Sequence, residues 1–278
     1  MRHRQNLPPP SWKYARSTSA NTSTAPLRRR DHLSNLIWLL FLAFRSLVRE
    51  VENWPTVIRY YLSSGDSRVA TIRFRNRDIL LAPRGYIFEA IAGTLLSNTY
   101  RFTGSPSVVV DIGASIGDFA LLASRAKGTR VYSLEKDPGY CNYLRKNMAL
   151  NRRHSVRIFQ GEADSRTLGS IIARGEESID FLKVDCEGCE YDLLLHCEPM
   201  ILTKVRRIAM EIHERPPYSK ADLIEHLKSS GFQVSESDAF WRGHYVYASR
   251  QPPVPRAMFN YSQGGQKRRS RERSSQIP

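Results

Sequence analysis

The sequence predicts an α/β fold: a Rossmann-like, mostly parallel seven-stranded sheet with helices on both faces, preceded by a helix and hairpin extension. Three observations predict it. From residue 107 onward, short apolar runs alternate with helical patterns, the order that builds parallel βαβ units. The first run, Val108-Val-Val-Asp-Ile112, has the continuous apolar character of a strand buried on both faces. Gly113 and Gly117 then break the chain and an apolar helix follows, Phe119 to Ala126, bringing helix-terminal N–H groups close to a ligand.

The elements follow in chain order. Residues 1–30 are rich in Pro, Ser, Thr and Arg and read as a disordered basic tail; their lack of acids keeps a transit peptide open beside a plain solvated tail. Residues 31–105 form a lead-in. Its apolar stretch, Leu33 to Val48, holds nine unbroken apolar residues from Leu36 to Phe44, short of the roughly 20 that a spanning helix needs. Packing on the core, peripheral contact with a membrane interface, and an uncleaved signal-anchor all remain open for it. Residues 69–82 alternate around Asn76-Arg77-Asp78, which predicts a hairpin, and a helix is expected over 87–97.

The sheet occupies 106–250. After the strand at 108–112 come strands at 130–135, 156–159, 179–184 and 208–212, then a final pair at 232–234 and 244–248. Asp137-Pro138 reads as an N-cap with proline at the first helical position. Ser219-Lys-Ala-Asp222 reads as a capping box, and Gly231 closes that helix. Residues 251–278 look like a second basic tail.

A formal charge of +15 suggests nucleic acid at first sight, but its distribution does not. Seven Lys/Arg and no acid lie in 1–30, and six Lys/Arg with one acid lie in 251–278, so the intervening 220 residues carry only +3. Four cysteines, at 141, 186, 189 and 197, are too clustered in too long a chain for a stapled fold and imply a reducing compartment. Cys186 and Cys189 have metal-knuckle spacing without a second pair. They read as small residues at a strand end and helix start, and no metal is assigned.

The glycine turn carries the chemistry. Asp111 ends the first strand, and Glu135 ends the second, where nucleotide-type cofactors have their ribose hydroxyls held. The spacing from Gly113 to Gly117 is not that of a dinucleotide fingerprint, and an adjacent carboxylate would repel a pyrophosphate. It suits a cationic ligand, which points to S-adenosyl-L-methionine rather than NAD. Asp111 would orient its ammonium or water shell, Gly113 and Gly117 would admit it, Glu135 would hold its ribose, and Glu162 would lie near the adenine.

Three blocks resemble the FkbM-type family of S-adenosylmethionine-dependent methyltransferases: Asp111-Ile-Gly-Ala-Ser-Ile-Gly117, Leu134-Glu-Lys-Asp-Pro138 with the following helix to Asn151, and Ile179-Asp-Phe-Leu-Lys-Val-Asp-Cys-Glu-Gly-Cys-Glu190. The resemblance spans about residues 69 to 250. Ser115 stands where the family usually has Asn, and Cys186 and Cys189 stand where small or apolar residues are common. The resemblance implies a class I methyltransferase fold, Ser115 within the cofactor loop, a lead-in that shapes the acceptor side, and an acceptor hydroxyl on a sugar, natural product or lipid-linked glycan.

Ligands of open α/β sheets sit at the carboxyl ends of the strands. That rule selects Asp185, Glu187, Glu211 and His213 as candidate catalytic residues. An acceptor hydroxyl has a high pKa, so O-methylation benefits from a base or a metal. Glu211 and His213 share a strand face, where a base or metal pair is open. Glu187 equally suits a helix cap, Lys183 is expected to neutralise Asp185, and Glu190 reads as a helix-surface acid. The Asn-Pro-Pro-Tyr pattern of exocyclic-amine methylation is missing after the fourth strand, as is a Pro-Cys nucleophile. An RNA methyltransferase using its basic tails and a non-catalytic adaptor are the alternatives. A cytoplasmic, possibly membrane-associated location is expected; organellar targeting by 1–30 and the oligomeric state stay open.

Overall fold

The computed structural model describes residues 44–62, 69–83, 86, 93–95, 97–238 and 243–250. The two basic tails, residues 33–43 of the apolar stretch and most of the helix expected over 87–97 lie outside them. Residues 44–50 are helical. No described helix is long and apolar enough to cross a membrane.

Helix α1 (Trp54–Leu62) is followed by an antiparallel hairpin of β1 (Val69–Arg73) and β2 (Ile79–Pro83), with Val69 opposite Pro83 and Arg73 opposite Ile79. Its alternating burial buries Ala70, Ile72, Leu80 and Ala82, as the period-2 pattern requires. The main sheet then assembles from β3 (Val108–Ile112), β4 (Arg130–Glu135), β5 (Val156–Gln160), β6 (Phe181–Val184), β7 (Arg207–Ile212), β8 (Gln233–Asp238) and β9 (His244–Ser249). Its helices are α2 (Asp118–Ala123), α3 (Pro138–Leu150), α4 (Thr167–Ile172), α5 (Cys189–Leu195), α6 (Pro199–Thr203) and α7 (Lys220–Ser229).

The strand order is β5-β4-β3-β6-β7-β9-β8. The first five are parallel, and β9 runs antiparallel to both β7 and β8. This is the expected seven-stranded class I methyltransferase arrangement. The order reverses between β3 and β6, and the crevice outside their carboxyl ends is where such sheets bind ligands.

Apolar side chains alternate between two layers. Val108, Val110, Ile112, Leu182 and Val184 pack toward α4, α5 and α7, while Val109, Phe181 and Ala209 pack toward α2, α3 and the hairpin. The lead-in therefore shares a core with the sheet. Its β2 edge is met by two asparagines one turn apart, Asn147 in α3 and Asn151 at its C-cap. Asn147 and Asn151 each accept from and donate to a β2 backbone group, at Leu81 and Ile79 respectively, standing in for a neighbouring strand. Asn147 also donates to the Ile116 carbonyl at 2.8 Å, which fixes the glycine turn.

Local signals hold with shifted ends. The Asp137 side chain accepts from Tyr140 N, and Ser219 and Asp222 close a capping box. Strand β6 starts at Phe181 rather than at 179, because the Asp180 carboxylate accepts the N–H groups of Ser107 and Val108 at 2.8 and 3.0 Å and leaves Ile179 a single bridge to Val205. Helix α2 stops at Ala123, three residues early, where Ser124 caps it.

Candidate active site

At the carboxyl end of β3 the turn is fixed by contacts within the protein. Gly113 has φ +71°, and a Cβ there would fall 1.7 Å from the Asp185 carbonyl oxygen. Gly117 has φ +88°, and its Cβ would fall 2.5 Å from Leu144 Cδ1. Both glycines are thus demanded by the β3–β6 seam and by helix packing, whatever a ligand also requires.

Asp111 and Lys183 stand opposite each other in register on β3 and β6. Lys183 Nζ lies 3.2 Å from Asp111 Oδ1 and donates to the Gly113 carbonyl at 2.6 Å. Two expectations change here. Lys183 pairs first with Asp111, its register partner, and the Asp185 carboxylate acts on it as well. Asp111 has no exposed surface, so it steadies the turn from beneath through Lys183. Burial pushes the Asp111 carboxyl up to about 6 against the pull of Lys183.

Glu135 accepts from Ser115 N and Asp137 N, both at 2.7 Å. One carboxylate thereby binds the glycine turn to the start of α3. Ser115, at φ 48°, keeps its buried hydroxyl without a hydrogen-bond partner beside Glu135. Glu162 is exposed just past β5.

The ends of β6 and β7 bring Asp185, Glu211 and His213 together, one potential ligand atom of each within 4.8 Å of the others. Asp185 Oδ2 accepts the Tyr100 hydroxyl at 2.6 Å, and Glu211 Oε2 accepts the Tyr245 hydroxyl at 2.8 Å. His213 Nε2 lies 4.0 Å from Asp185 Oδ1 and 3.6 Å from Glu187 Oε2. Glu187 is exposed on a left-handed residue at the rim. Burial and then the nearby Asp185 carboxylate push Glu211 up to about 7. Burial opposes the charge on His213, yet its hydrogen bond to Glu190 and the Glu187 carboxylate hold it up to about 9.

Glu190 is not the surface acid expected. It has no exposed surface, and its oxygens take Gly188 N at 2.9 Å, His213 N at 2.7 Å and His213 Nδ1 at 3.2 Å. It caps α5 from inside and orients His213, the role Glu187 was a candidate for. Sequence reasoning also passed over Tyr100 and Tyr245, which come from the lead-in and the antiparallel strand; no spacing pattern marks either one. Cys186 and Cys189 are joined as a disulfide across the β6–α5 turn, which departs from their reading as small filler residues.

Residues 151–234 match the family model of the methyltransferase FkbM domain, and residues 98–177 match that of the TRM5/TYW2 methyltransferase domain. Among curated proteins, the AMB antimetabolite synthetase AmbE of Pseudomonas aeruginosa is 32% identical over 120 residues, which are 41% of this chain and 6% of that protein's length. This chain therefore matches only a small part of that relative. Among solved structures, the O-methyltransferase TomG from Streptomyces achromogenes, in complex with S-adenosylmethionine, aligns with a TM-score of 0.43 at 15% identity, over 52% of this chain and 73% of that one. The precorrin-6y C5,15-methyltransferase of Geobacter metallireducens aligns with a TM-score of 0.42 at 14% identity, over 55% and 85%. The matched segments are methyltransferase-domain sequence of the S-adenosylmethionine-dependent kind, and the FkbM match covers 151–234, which takes in the third of the three blocks and not the first two.

Proposed function

We propose that this chain transfers the methyl group of S-adenosylmethionine to a hydroxyl of a small molecule, with a sugar or natural-product acceptor favoured. The observation that carries this reading is the carboxylate–imidazole cluster of Asp185, Glu211 and His213, seated at the strand-order reversal directly against the glycine turn.

The methyl group of a sulfonium is already activated. The enzyme's work is to align donor and acceptor in line, take the acceptor's proton and keep water out. Glu135 and the unspent Ser115 hydroxyl would meet the ribose, and the Lys183–Asp111 pair would hold the turn beneath the donor. The acceptor hydroxyl would lie against the cluster, which supplies the proton acceptor at heavy-atom hydrogen-bonding range. Tyr100 and Tyr245 are positioning residues, since each touches a carboxylate of the cluster. Compact polar groups in a crevice suit a hydroxylated small molecule, and the basic excess of the chain lies in tails outside the described residues. The name of TomG as an O-methyltransferase agrees with this reading without carrying it.

The test is methyl transfer by the full chain from isotopically labelled S-adenosylmethionine to a panel of sugars and phenols, with mass spectrometry of the products. An O-methyl product, lost in the Glu211→Gln variant, is expected. Label only on nitrogen or on RNA would overturn the acceptor class, and failure of folded protein to bind S-adenosylhomocysteine would overturn the whole reading.

A further inference from the structure

We propose that Asp185, Glu211 and His213 form the binding site of one divalent cation of the Mn2+ or Mg2+ class, which receives the acceptor through adjacent hydroxyl oxygens. The proposal rests on reading the β6–β7 end as the acceptor site.

The geometry of the supporting groups points to a cation. Each of the three side chains has one polar atom already occupied from outside the cluster: Asp185 Oδ2 by Tyr100, Glu211 Oε2 by Tyr245 and His213 Nδ1 by Glu190. What remains is one carboxylate oxygen from each acid and the Nε2 of the imidazole, in a cluster whose potential ligand atoms lie within 4.8 Å of one another. A carboxylate on the far ring nitrogen is the usual support of a metal-bound histidine, because it fixes the tautomer that leaves the other nitrogen free to ligate. Glu190 is unusually firm in that role, being fully buried and tied to two backbone N–H groups.

Charge argues the same way. Asp185, Glu187, Glu190 and Glu211 surround one imidazole, and Lys183, which acts on Asp185, is shared with Asp111 and Asp118. A dication balances that excess of carboxylates. Two oxygens and one imidazole nitrogen suit Mn2+ or Mg2+, and no thiol stands among the three. Neighbouring ligands around such an ion lie about 3 Å apart for bonds of about 2.1 Å. The 4.0 Å between His213 Nε2 and Asp185 Oδ1, in a cluster spanning up to 4.8 Å, would shorten by about 1 Å on binding the ion. Three protein ligands leave open positions, which an acceptor carrying two adjacent hydroxyls can fill. Bound there, its hydroxyl becomes more acidic, and the oxygen is held for in-line attack.

The experiment is calorimetric titration of chelator-treated full chain with MnCl2, alongside S-adenosylhomocysteine titration of the same samples. One Mn2+ per chain is expected, with affinity at least tenfold weaker in Asp185→Asn, Glu211→Gln and His213→Gln. Glu190→Gln, which leaves all three ligands in place, is expected to weaken Mn2+ by about 10- to 100-fold. Asp192→Asn, a change at an exposed acid on the same helix, should leave it unchanged. Thermal melting identifies any variant that fails to fold, and the remaining ligand variants then decide. No saturable Mn2+ binding, or equal binding by the folded ligand variants, overturns the site. Homocysteine-ligand binding without Mn2+ binding removes the cation alone; Mn2+ binding without it removes the donor reading and keeps the cation site.

Discussion

The two halves of the crevice handle charge in opposite ways. On the β3–β4 side the acids are engaged within the protein: Asp111 lies beside the Lys183 ammonium, and Glu135 accepts the N–H groups of Ser115 and Asp137. On the β6–β7 side, Asp185 and Glu211 are each held by one tyrosine hydroxyl and otherwise face one another and His213. The first half is largely paired within the protein and shapes a turn, with the Ser115 hydroxyl left without a partner. The second stores unbalanced negative charge, which belongs where chemistry or a ligand completes the structure.

Substitutions can break this contrast. The largest effect is expected from Gly113→Ala, whose new methyl would meet the Asp185 carbonyl from a left-handed backbone. It should destabilise by about 3 kcal/mol or more and damage both halves together, read by thermal melting. A variant melting like the intact chain would show that the seam is not tight.

Glu135→Gln comes next, weakening two charge-assisted hydrogen bonds. A loss of about 2 kcal/mol in S-adenosylhomocysteine binding, roughly thirtyfold, is expected by calorimetry, with the acceptor KM unmoved. Tyr245→Phe should do the reverse: kcat falls about tenfold while donor affinity stays the same. If either variant moved both quantities equally, the halves would not be separable.

The smallest effect is expected at the far end of β4, where Glu176 accepts from Arg130 and the Tyr132 hydroxyl. The Arg130 hydrogen bond, set against burial, holds the Glu176 carboxyl below its ordinary value. A depressed folded pKa contributes stability above the unfolded value near 4.5 and loses it as pH falls through the folded one. Glu176→Gln should therefore cost about 1 kcal/mol at pH 7, a difference that vanishes toward pH 2 in denaturant melts, with methyl transfer unaffected.

The same contrast marks what could be read from the chain. The donor half was legible because its signals are local: three valines, a glycine turn and an acid at a strand end lie within a few residues of each other. The seven strands and both helix caps follow from such patterns. The acceptor half was legible only as a set of names. Asp185, Glu211 and His213 could be picked by their strand-end positions, but their mutual distances depend on β6 and β7 lying side by side. Glu190 near a helix start looks solvated until β7 places His213 over it. Lys183 has Asp185 two residues away, and only the register of β3 against β6 gives it Asp111 as well. Tyr100 and Tyr245 arrive from opposite ends of the chain, so no window contains them with their carboxylates.

The contact between Gly113 and the Asp185 carbonyl has a consequence for how such an enzyme can change. On the proposed reading, the cradle of the donor and the strand end that would receive the acceptor meet at one close backbone contact, with no side chain between them to absorb a displacement. Drift in one cradle is handed to its neighbour at full amplitude. New acceptors are therefore accommodated most cheaply in the surrounding loops and the lead-in, with the seam passed on intact as the fixed gauge between two moving specificities.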